Sequence, residues 1–434
     1  MHIKTLQLKN FRRFEEATFE FGPGFNLLVG ENGNGKSSVL DAIFASLNDF
    51  GRMSGDPDGV RQLPEAADIK LEISKIRNKT RTDPTFVCEI KTKYFIENHS
   101  DILDQRHADP FDNVHPLNPG MAQYWGNYSA KLFKSQSFTL DLVARFVIPR
   151  NSNSKSRNKT TSFEISSGGG KLDAYVGWRD AGRGANALHN WVLFQSLADS
   201  QRENAKVDTQ LSELQLVSSA VSSFLGQGLG LWFSGSLQSM MVDFEGLGNI
   251  PFDTLSDGQR GLIAMVADIA RRACLLNPHL DDKVLEETPG IVLIDELDLH
   301  LHPKWQRSIV KNLKKTFPKI QFIATTHSPQ IIGECKPEEI IIVTETGGKR
   351  PSQSFGMDSN WVLECLMETP ARDKEIQAEI DQMFKAIDEN EFGLARNLVA
   401  ALREKIGPAP EVVKADILLH RYDGPHLAAG EAAE

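Results

Sequence analysis

At 434 residues the chain is long enough to bury a large core, and its length predicts two or three domains. A content of 40% hydrophobic and 24% charged residues is that of an ordinary soluble globular protein; no apolar run reaches the length of a membrane span, and Met1-His2-Ile3-Lys4 has no apolar signal core. The net charge of −10 argues against constitutive, non-specific DNA binding, and the scattered Cys88, Cys274, Cys335 and Cys365 fit a reducing cytoplasm without a zinc ribbon or disulfide framework.

Residues 3–9 largely alternate apolar and polar and predict a half-buried strand. Asn10-Phe11-Arg12-Arg13-Phe14 follows, then a second alternating run at 17–21. Residues 25–29 form a short apolar run suited to a buried strand, and 38–47 carry apolar residues at helical spacing. Between them lies Gly30-Glu31-Asn32-Gly33-Asn34-Gly35-Lys36-Ser37, which fits G-x-x-x-x-G-K-[ST], the Walker A loop for nucleoside triphosphates. Its glycines let the backbone curl until N–H groups share one concavity, and the strand–loop–helix order aims a helix N-terminus at phosphate. Gly30, Asn32, Gly33, Asn34, Gly35 and Ser38 are candidate nucleotide contacts. Lys36 supplies positive charge for the β- and γ-phosphates, and the Ser37 hydroxyl is placed to ligate Mg²⁺.

Glycine and proline punctuate 50–66, which predicts a loop, and 68–73 alternate as another strand. The pattern weakens from 76 to about 136, where Asp109-Pro110, Pro116 and Asn118-Pro119-Gly120 exclude a long helix. Residues 138–148 predict a strand halted at Pro149. The basic stretch 150–161, with Lys155, Arg157 and Lys159, reads as a solvated loop, with a DNA-facing loop as the alternative. Gly168-Gly169-Gly170 predicts a hinge. Residues 187–217 look helical: Leu188, Trp191, Phe194 and Leu197 fall at three-residue steps, broadened by Val192 and Leu193. No sustained heptad repeat occurs in 77–250, so the stretch is expected to be a compact lobe rather than a coiled-coil arm.

A first strand, N-F-R-x-F, a second strand and then Walker A is similar to the opening of the SMC/RecF/Rad50-like branch of ABC ATPases, in which Arg12 would lie near the nucleotide. Leu255-Ser256-Asp257-Gly258-Gln259-Arg260 resembles the ABC signature, usually written L-S-G-G-Q. Behind it Leu262, Ile263, Val266, Ile269, Ala270 and Ala273 recur at helical spacing, so Ser256 is expected to N-cap a helix whose dipole suits an incoming γ-phosphate. Asp257 replaces the usual first glycine and leaves the turnover rate open. Ile291-Val292-Leu293-Ile294-Asp295-Glu296 matches Walker B, an apolar run expected as a strand buried on both faces of a parallel sheet, with ligands at its C-terminal end. Asp295 is expected to hold Mg²⁺, directly or through water, and Glu296 to polarise the attacking water. In Leu297-Asp298-Leu299-His300-Leu301-His302-Pro303, two histidines without a third ligand make a metal site the weaker reading. The resemblance makes this the D-loop, with Asp298 at a dimer interface, and makes His327, at the end of an apolar run, the switch histidine that contacts γ-phosphate. No Q-loop glutamine can be placed.

Residues 339–343 predict a last strand, 376–402 a helical hairpin interrupted near Asp388-Glu389-Asn390, 412–419 another helix, and 424–434 a loose tail. Phe384, Phe392, Leu394 and Val399 exceed what one helix pair can bury against itself and are expected to need another surface. Gly356-Met357-Asp358-Ser359-Asn360 together with this hairpin resembles the C-terminus of short ATPases of Septu and retron antiphage systems, in which an HNH nuclease is the companion. The combined resemblance implies an α/β ABC-type ATPase head split by a compact insertion. The expected divisions are an N-terminal lobe at 1–76, the insertion at 77–215, a C-terminal lobe at 216–365 and a helical tail at 366–434. It implies ATP and Mg²⁺ as ligands, and a head-to-tail dimer in which Ser256, Gly258 and Gln259 of one chain complete the site at Lys36 of the other. It also implies control of a separate nuclease effector in the cytoplasm, with no membrane partner. A RecF-like DNA-binding repair clamp and a non-hydrolysing nucleotide-dependent scaffold are the alternative functions.

Overall fold

The computed structural model describes residues 1–47, 88–95, 102–108, 114–119, 138–147, 171–175, 177, 185–205, 211–226, 230–244 and 248–423. The loop expected at 50–66, the strand at 68–73, the basic loop at 150–161 and the hinge at 168–170 lie outside the described residues. The chain divides into two units, Met1–Val362 and Leu363–Glu434.

The first unit is built on an 11-stranded mixed sheet. Its strands are β1 (His2–Phe11), β2 (Phe14–Glu20), β3 (Phe25–Val29), β4 (Cys88–Phe95), β5 (Ile102–Ala108), β6 (Val114–Pro119), β7 (Leu142–Val147) and, after an interval, four more from the second half. A small antiparallel sheet of β8 (Leu231–Ser234), β9 (Ser239–Phe244) and β10 (Gly248–Pro251) intervenes. The remaining members of the main sheet are β11 (Gly290–Asp295), β12 (Ile320–Thr325), β13 (Ile340–Thr344) and β14 (Gly347–Lys349). The spatial order is β6-β5-β4-β1-β2-β14-β13-β3-β12-β11-β7. From β13 to β7 all neighbours run parallel, whereas β6, β5, β4, β1 and β2 form an antiparallel wing. This is the α/β P-loop ATPase head that the motifs imply.

Burial follows the chemistry of each run. All five residues of β3 and all six of β12 are buried, as befits mainly apolar strands covered on both faces. β2 alternates buried and exposed positions, which marks a strand covered on one side. Buried Gln321 sews the sheet together: its amide nitrogen donates to the carbonyls of Ile3 and Gly22, and its oxygen accepts from the Ile3 N–H at 2.8 Å. One side chain thereby meets the need of a buried amide for partners and fastens β1 to β12.

The stretch 77–215 supplies β4–β7 to this sheet, and β7 lies directly beside β11 in parallel register, so its described part is not a body apart from the head. Two of those strands, β5 and β6, escape a reading by alternation. β6 carries Pro116 and Pro119, which read as breakers, but the strand lies at the sheet edge, where a missing N–H leaves no ladder bond unmade.

The longer helices of the unit are α1 (Lys36–Ser46), α2 (Ala185–Ala205), α3 (Glu213–Leu225), α4 (Asp257–Leu276) and α5 (Pro303–Thr316). The apolar face predicted for α4 is buried throughout, from Leu262 to Ala273. In α2 the prediction needs correction: Leu188, Trp191 and Val192 are buried, but Phe194 and Leu197 are each 53% exposed. A three-residue step advances about 300° on an α-helix, so successive steps drift off one face and carry the later residues to solvent. Between α2 and α3, Ser212 caps the second helix by accepting from the Gln215 N–H, which breaks the continuous helix expected over 187–217.

The second unit holds α6 (Lys374–Asp388), α7 (Phe392–Ile406) and α8 (Pro410–Asp423). Its core joins Ile380, Met383 and Ile387 of α6, Val399 and Leu402 of α7, and Val412, Ala415 and Leu419 of α8, with Phe384 and Phe392 packed against it. The surface that the hairpin was expected to need is therefore supplied by its own third helix. Leu394 alone of the four residues in question stays exposed, at 43%. Arg372–Glu411 and Arg403–Asp416 ion pairs tie the third helix to the first two segments, although half-exposed pairs of this kind add little. Leu402→Ala should cost this unit about 2–5 kcal/mol, as buried leucine truncations do. Amide hydrogen exchange in the full chain should then quicken across 374–423 and stay unchanged across β11 and β12; protection unchanged across the tail would show that no such core exists.

Candidate functional site

Three neighbouring parallel strands, β3, β12 and β11, bring the separate motifs to one edge. β3 delivers the Walker A loop, whose Gly30, Gly33 and Gly35 all have positive φ. Glycine is required at position 35 for a second reason: a Cβ there would lie 2.7 Å from the Phe14 ring and 2.9 Å from Arg13 Cδ. α1 begins at Lys36 with no side-chain cap on Gly35, so its first-turn N–H groups are left to serve a ligand.

Lys36 is only 6% exposed and curls back over its own loop, where Nζ donates to the carbonyls of Gly30 at 2.7 Å and Glu31 at 2.9 Å. Burial lowers its pKa to about 8, opposed by the carboxylates of Asp295, Asp298 and Glu296. One ammonium beside three carboxylates leaves the surroundings net negative, which suits a divalent cation, while the ammonium itself is the buried positive group at the loop.

Asp295 ends β11. Its Oδ1 accepts from the Ser37 hydroxyl at 3.3 Å and from the Thr325 hydroxyl at 2.6 Å. Thr325, the last residue of β12, also accepts from the Glu296 N–H at 2.7 Å. Glu296 turns the chain away from the strand in the left-handed region, at φ 57°, a conformation that non-glycine residues hold only when their surroundings impose it. The imposing bonds are those from Thr325: its hydroxyl takes the Glu296 N–H and its carbonyl takes the Leu297 N–H at 2.9 Å.

Asp298 joins the next turn to the segment after β12. Its Oδ1 accepts from the Thr326 hydroxyl at 2.7 Å and from the His327 N–H at 3.1 Å. Lys36, Ser37, Asp295, Glu296, Asp298 and His327, from four motifs, thus converge through named contacts. Of the two D-loop histidines, His302 caps α5, its Nδ1 accepting from the Lys304 N–H, and among the described residues no group of three potential metal ligands forms.

Arg12 lies against α1, donating to Ser38 Oγ at 3.3 Å and to Asp41 Oδ2 at 2.6 Å. Arg145 of β7 holds the other oxygen of Asp41, so one carboxylate links the β1–β2 turn, α1 and β7. Arg13 touches the Walker A loop itself, through the Gly33 carbonyl and Asn34 Oδ1. Sequence reasoning missed Thr325, Asp41, Arg145 and the loop contact of Arg13. A signal existed for Thr325, since paired threonines ending an apolar strand need hydrogen-bond partners when buried; adjacent Arg12 and Arg13 carried none that separates them.

The signature motif begins α4 as expected. Ser256 N-caps the helix, and Gln259 returns the favour by accepting from the Ser256 N–H at 3.0 Å. Asp257 pairs with Arg260, so its charge does not stand alone. Gly258 packs on the D-loop: a Cβ at this position would drive into the carbonyl of His300.

The donor set fits a nucleotide with Mg²⁺. Ser37 Oγ and Asp295 Oδ1 are hard oxygen donors that would hold that ion, and the loop N–H groups with Lys36 suit the phosphates themselves.

The chain is similar to several known proteins. The chain is 27% identical to "Retron Ec83 probable ATPase" of Escherichia coli over 95% of its own length and 85% of that protein's. It is 25% identical to "Septu protein PtuA" of Bacillus thuringiensis, covering 84% of this chain and 83% of that one. An SMC head crystallised with the C-terminal winged-helix domain of ScpA is 16% identical with a TM-score of 0.49, covering 82% of this chain and 98% of the other. The family model described as "AAA domain, putative AbiEii toxin, Type IV TA system" matches residues 25–333, from the Walker A strand to the helix after the switch segment, and the chain belongs to that family.

Proposed function

We propose that this chain binds and hydrolyses ATP with Mg²⁺ and serves as the regulatory subunit of an antiphage defence complex, where a nucleotide-driven dimer controls a separate nuclease effector. The observation that carries the ATPase reading is the 3.3 Å contact between Ser37 and Asp295, made across β12 beside buried Lys36. Retron and Septu relatives aligned along most of the chain support the defence role.

In this reading the loop N–H groups and Lys36 bind the phosphates, and Ser37 and Asp295 hold Mg²⁺. The metal neutralises charge on the β- and γ-phosphates when bound. Glu296, fixed by the Thr325 bond to its N–H, orients and deprotonates the attacking water. His327, held through its backbone by Asp298, faces the γ-phosphate. Ser256, Gly258 and Gln259 act in trans. The exposed N-terminus of α4 offers N–H groups and a helix dipole to the γ-phosphate of a partner chain, so the triphosphate bridges two chains and its cleavage lets them part. Pairing with Arg260 blunts the Asp257 charge there. The three-helix unit at the C-terminus is the element we assign to the effector.

Lys36→Ala should abolish ATP binding in equilibrium titrations, because the loop loses its one buried positive side chain; normal affinity would remove this loop from the site. Glu296→Gln should keep ATP bound, slow phosphate release by about a hundredfold or more, the scale of a lost general base, and trap a dimer visible by light scattering. Wild-type turnover in that variant would take Glu296 out of the chemistry, while a wild-type chain that binds ATP without releasing phosphate would be a scaffold instead. Deleting 371–434 should leave ATP binding intact and end co-purification with the nuclease partner. Full retention of the partner by the truncated chain would exclude the tail as the docking element.

A further inference from the structure

Gln306 lies in the first turn of α5 and belongs to none of the nucleotide-binding motifs, yet its amide is used to capacity. Nε2 donates to the carbonyls of Asp298 at 3.3 Å and Leu301 at 3.0 Å, the two ends of the D-loop turn that the Leu301 N–H to Asp298 bond closes. Oε1 accepts from the Ser328 hydroxyl at 2.7 Å. Ser328 in turn caps the short helix Pro329–Gly333 by accepting from the Gln330 and Ile331 N–H groups, and its own N–H donates to Thr326 Oγ1 at 3.0 Å.

These bonds close a ring. It runs from the Asp298 carboxylate to the Thr326 hydroxyl, on to the Ser328 backbone, through the Ser328 hydroxyl to Gln306, and back to the Asp298 carbonyl. His327 is the residue between Thr326 and Ser328, and its N–H points into the ring at Asp298. Only a side chain with two donors and an acceptor at one tip serves the Gln306 position: glutamate lacks the donors, and an apolar residue would leave the Ser328 hydroxyl and two carbonyls without this partner.

We propose that Gln306 is a positioning residue that locks the D-loop turn to the switch segment, so that Asp298 and His327 keep one relative placement. This rests on the ATPase reading above and adds to it a residue that touches neither nucleotide nor metal. The ring acts on catalysis rather than on binding, because Lys36 and the glycine loop hold the phosphates independently of it.

The test is kinetic. Wild type, Gln306→Met, Gln306→Glu, Thr326→Val and the Gln306→Met/Thr326→Val double variant are compared in full-length protein for ATP affinity, kcat and melting temperature. Both Gln306 variants should lower kcat by about tenfold, the effect of one or two lost hydrogen bonds, while ATP affinity stays within about twofold. The double variant should be no slower than the worse single, since a ring opened once is open. Should Gln306→Met fail to fold, Gln306→Glu, which keeps an acceptor for Ser328, carries the same expectation. With a wild type that turns over, an unchanged kcat in the Gln306 variants would overturn the role of Gln306 alone, as would multiplicative losses or a parallel fall in affinity and melting temperature. A wild type that does not hydrolyse ATP would overturn the ATPase reading and this inference together, before any variant is made.

Discussion

The strand between the two halves of the site governs its geometry. β12 separates β3 from β11, so the Walker A and Walker B strands are not neighbours. Adjacent strands lie about 4.8 Å apart, which places β3 and β11 about 10 Å from each other. Neither strand can reach across alone. Ser37, on the first turn of α1, spans the distance from one side, and Asp295 meets it from the other. Thr325 closes the gap from the middle strand, donating to Asp295 and accepting from the N–H of Glu296. An apolar side chain at the end of β12 would leave the Glu296 N–H without this partner and remove the bond that holds Glu296 at positive φ.

The remaining architecture keeps that edge in place. Asp41 accepts from Arg12 and Arg145, residues brought in from the turn after β1 and from the far side of β11, and so steadies α1 behind the loop. These three side chains are largely shielded, at 16–20% exposure, so losing one partner would strand a charge in poor solvent. Gln321 acts at the opposite end of β12, binding it to β1. The site is therefore held at both ends of its central strand by side chains whose partners are remote in sequence.

The contact of Gly258 with the His300 carbonyl has a consequence for coupling within the chain. The start of α4 rests on the same D-loop whose turn reaches the segment after β12 through Asp298 and Gln306. A displacement at the signature helix has a continuous route of packed and hydrogen-bonded groups to His327. Packed and hydrogen-bonded groups of this kind are one means by which energetic coupling is carried between distant sites.

The sequence by itself determined the chemistry. Lys36, Ser37, Asp295 and Glu296 were legible as local patterns, a fixed spacing of glycines, lysine and hydroxyl and two acids ending an apolar run, and the fold brings Ser37 to 3.3 Å from Asp295. The capped start of α4 at Ser256 was legible for the same reason, because a cap satisfies N–H groups only three residues away. What depends on partners distant in the chain was not. β5 and β6 gain their strand character from pairing, with proline tolerated only because of the edge position, and β7 reads as a strand without showing that it flanks β11. The outward drift of Phe194 and Leu197, and the burial of Val399 by a third helix, were settled by which surface arrived to cover them. Arg12 and Arg13 are chemically alike neighbours, and only the approach of α1 and the glycine loop assigned one to Asp41 and the other to Gly33. Local chemistry is written in consecutive residues, whereas the choice among remote partners belongs to the folded chain, because it is burial and packing of the whole that decide which of several satisfactory contacts is made.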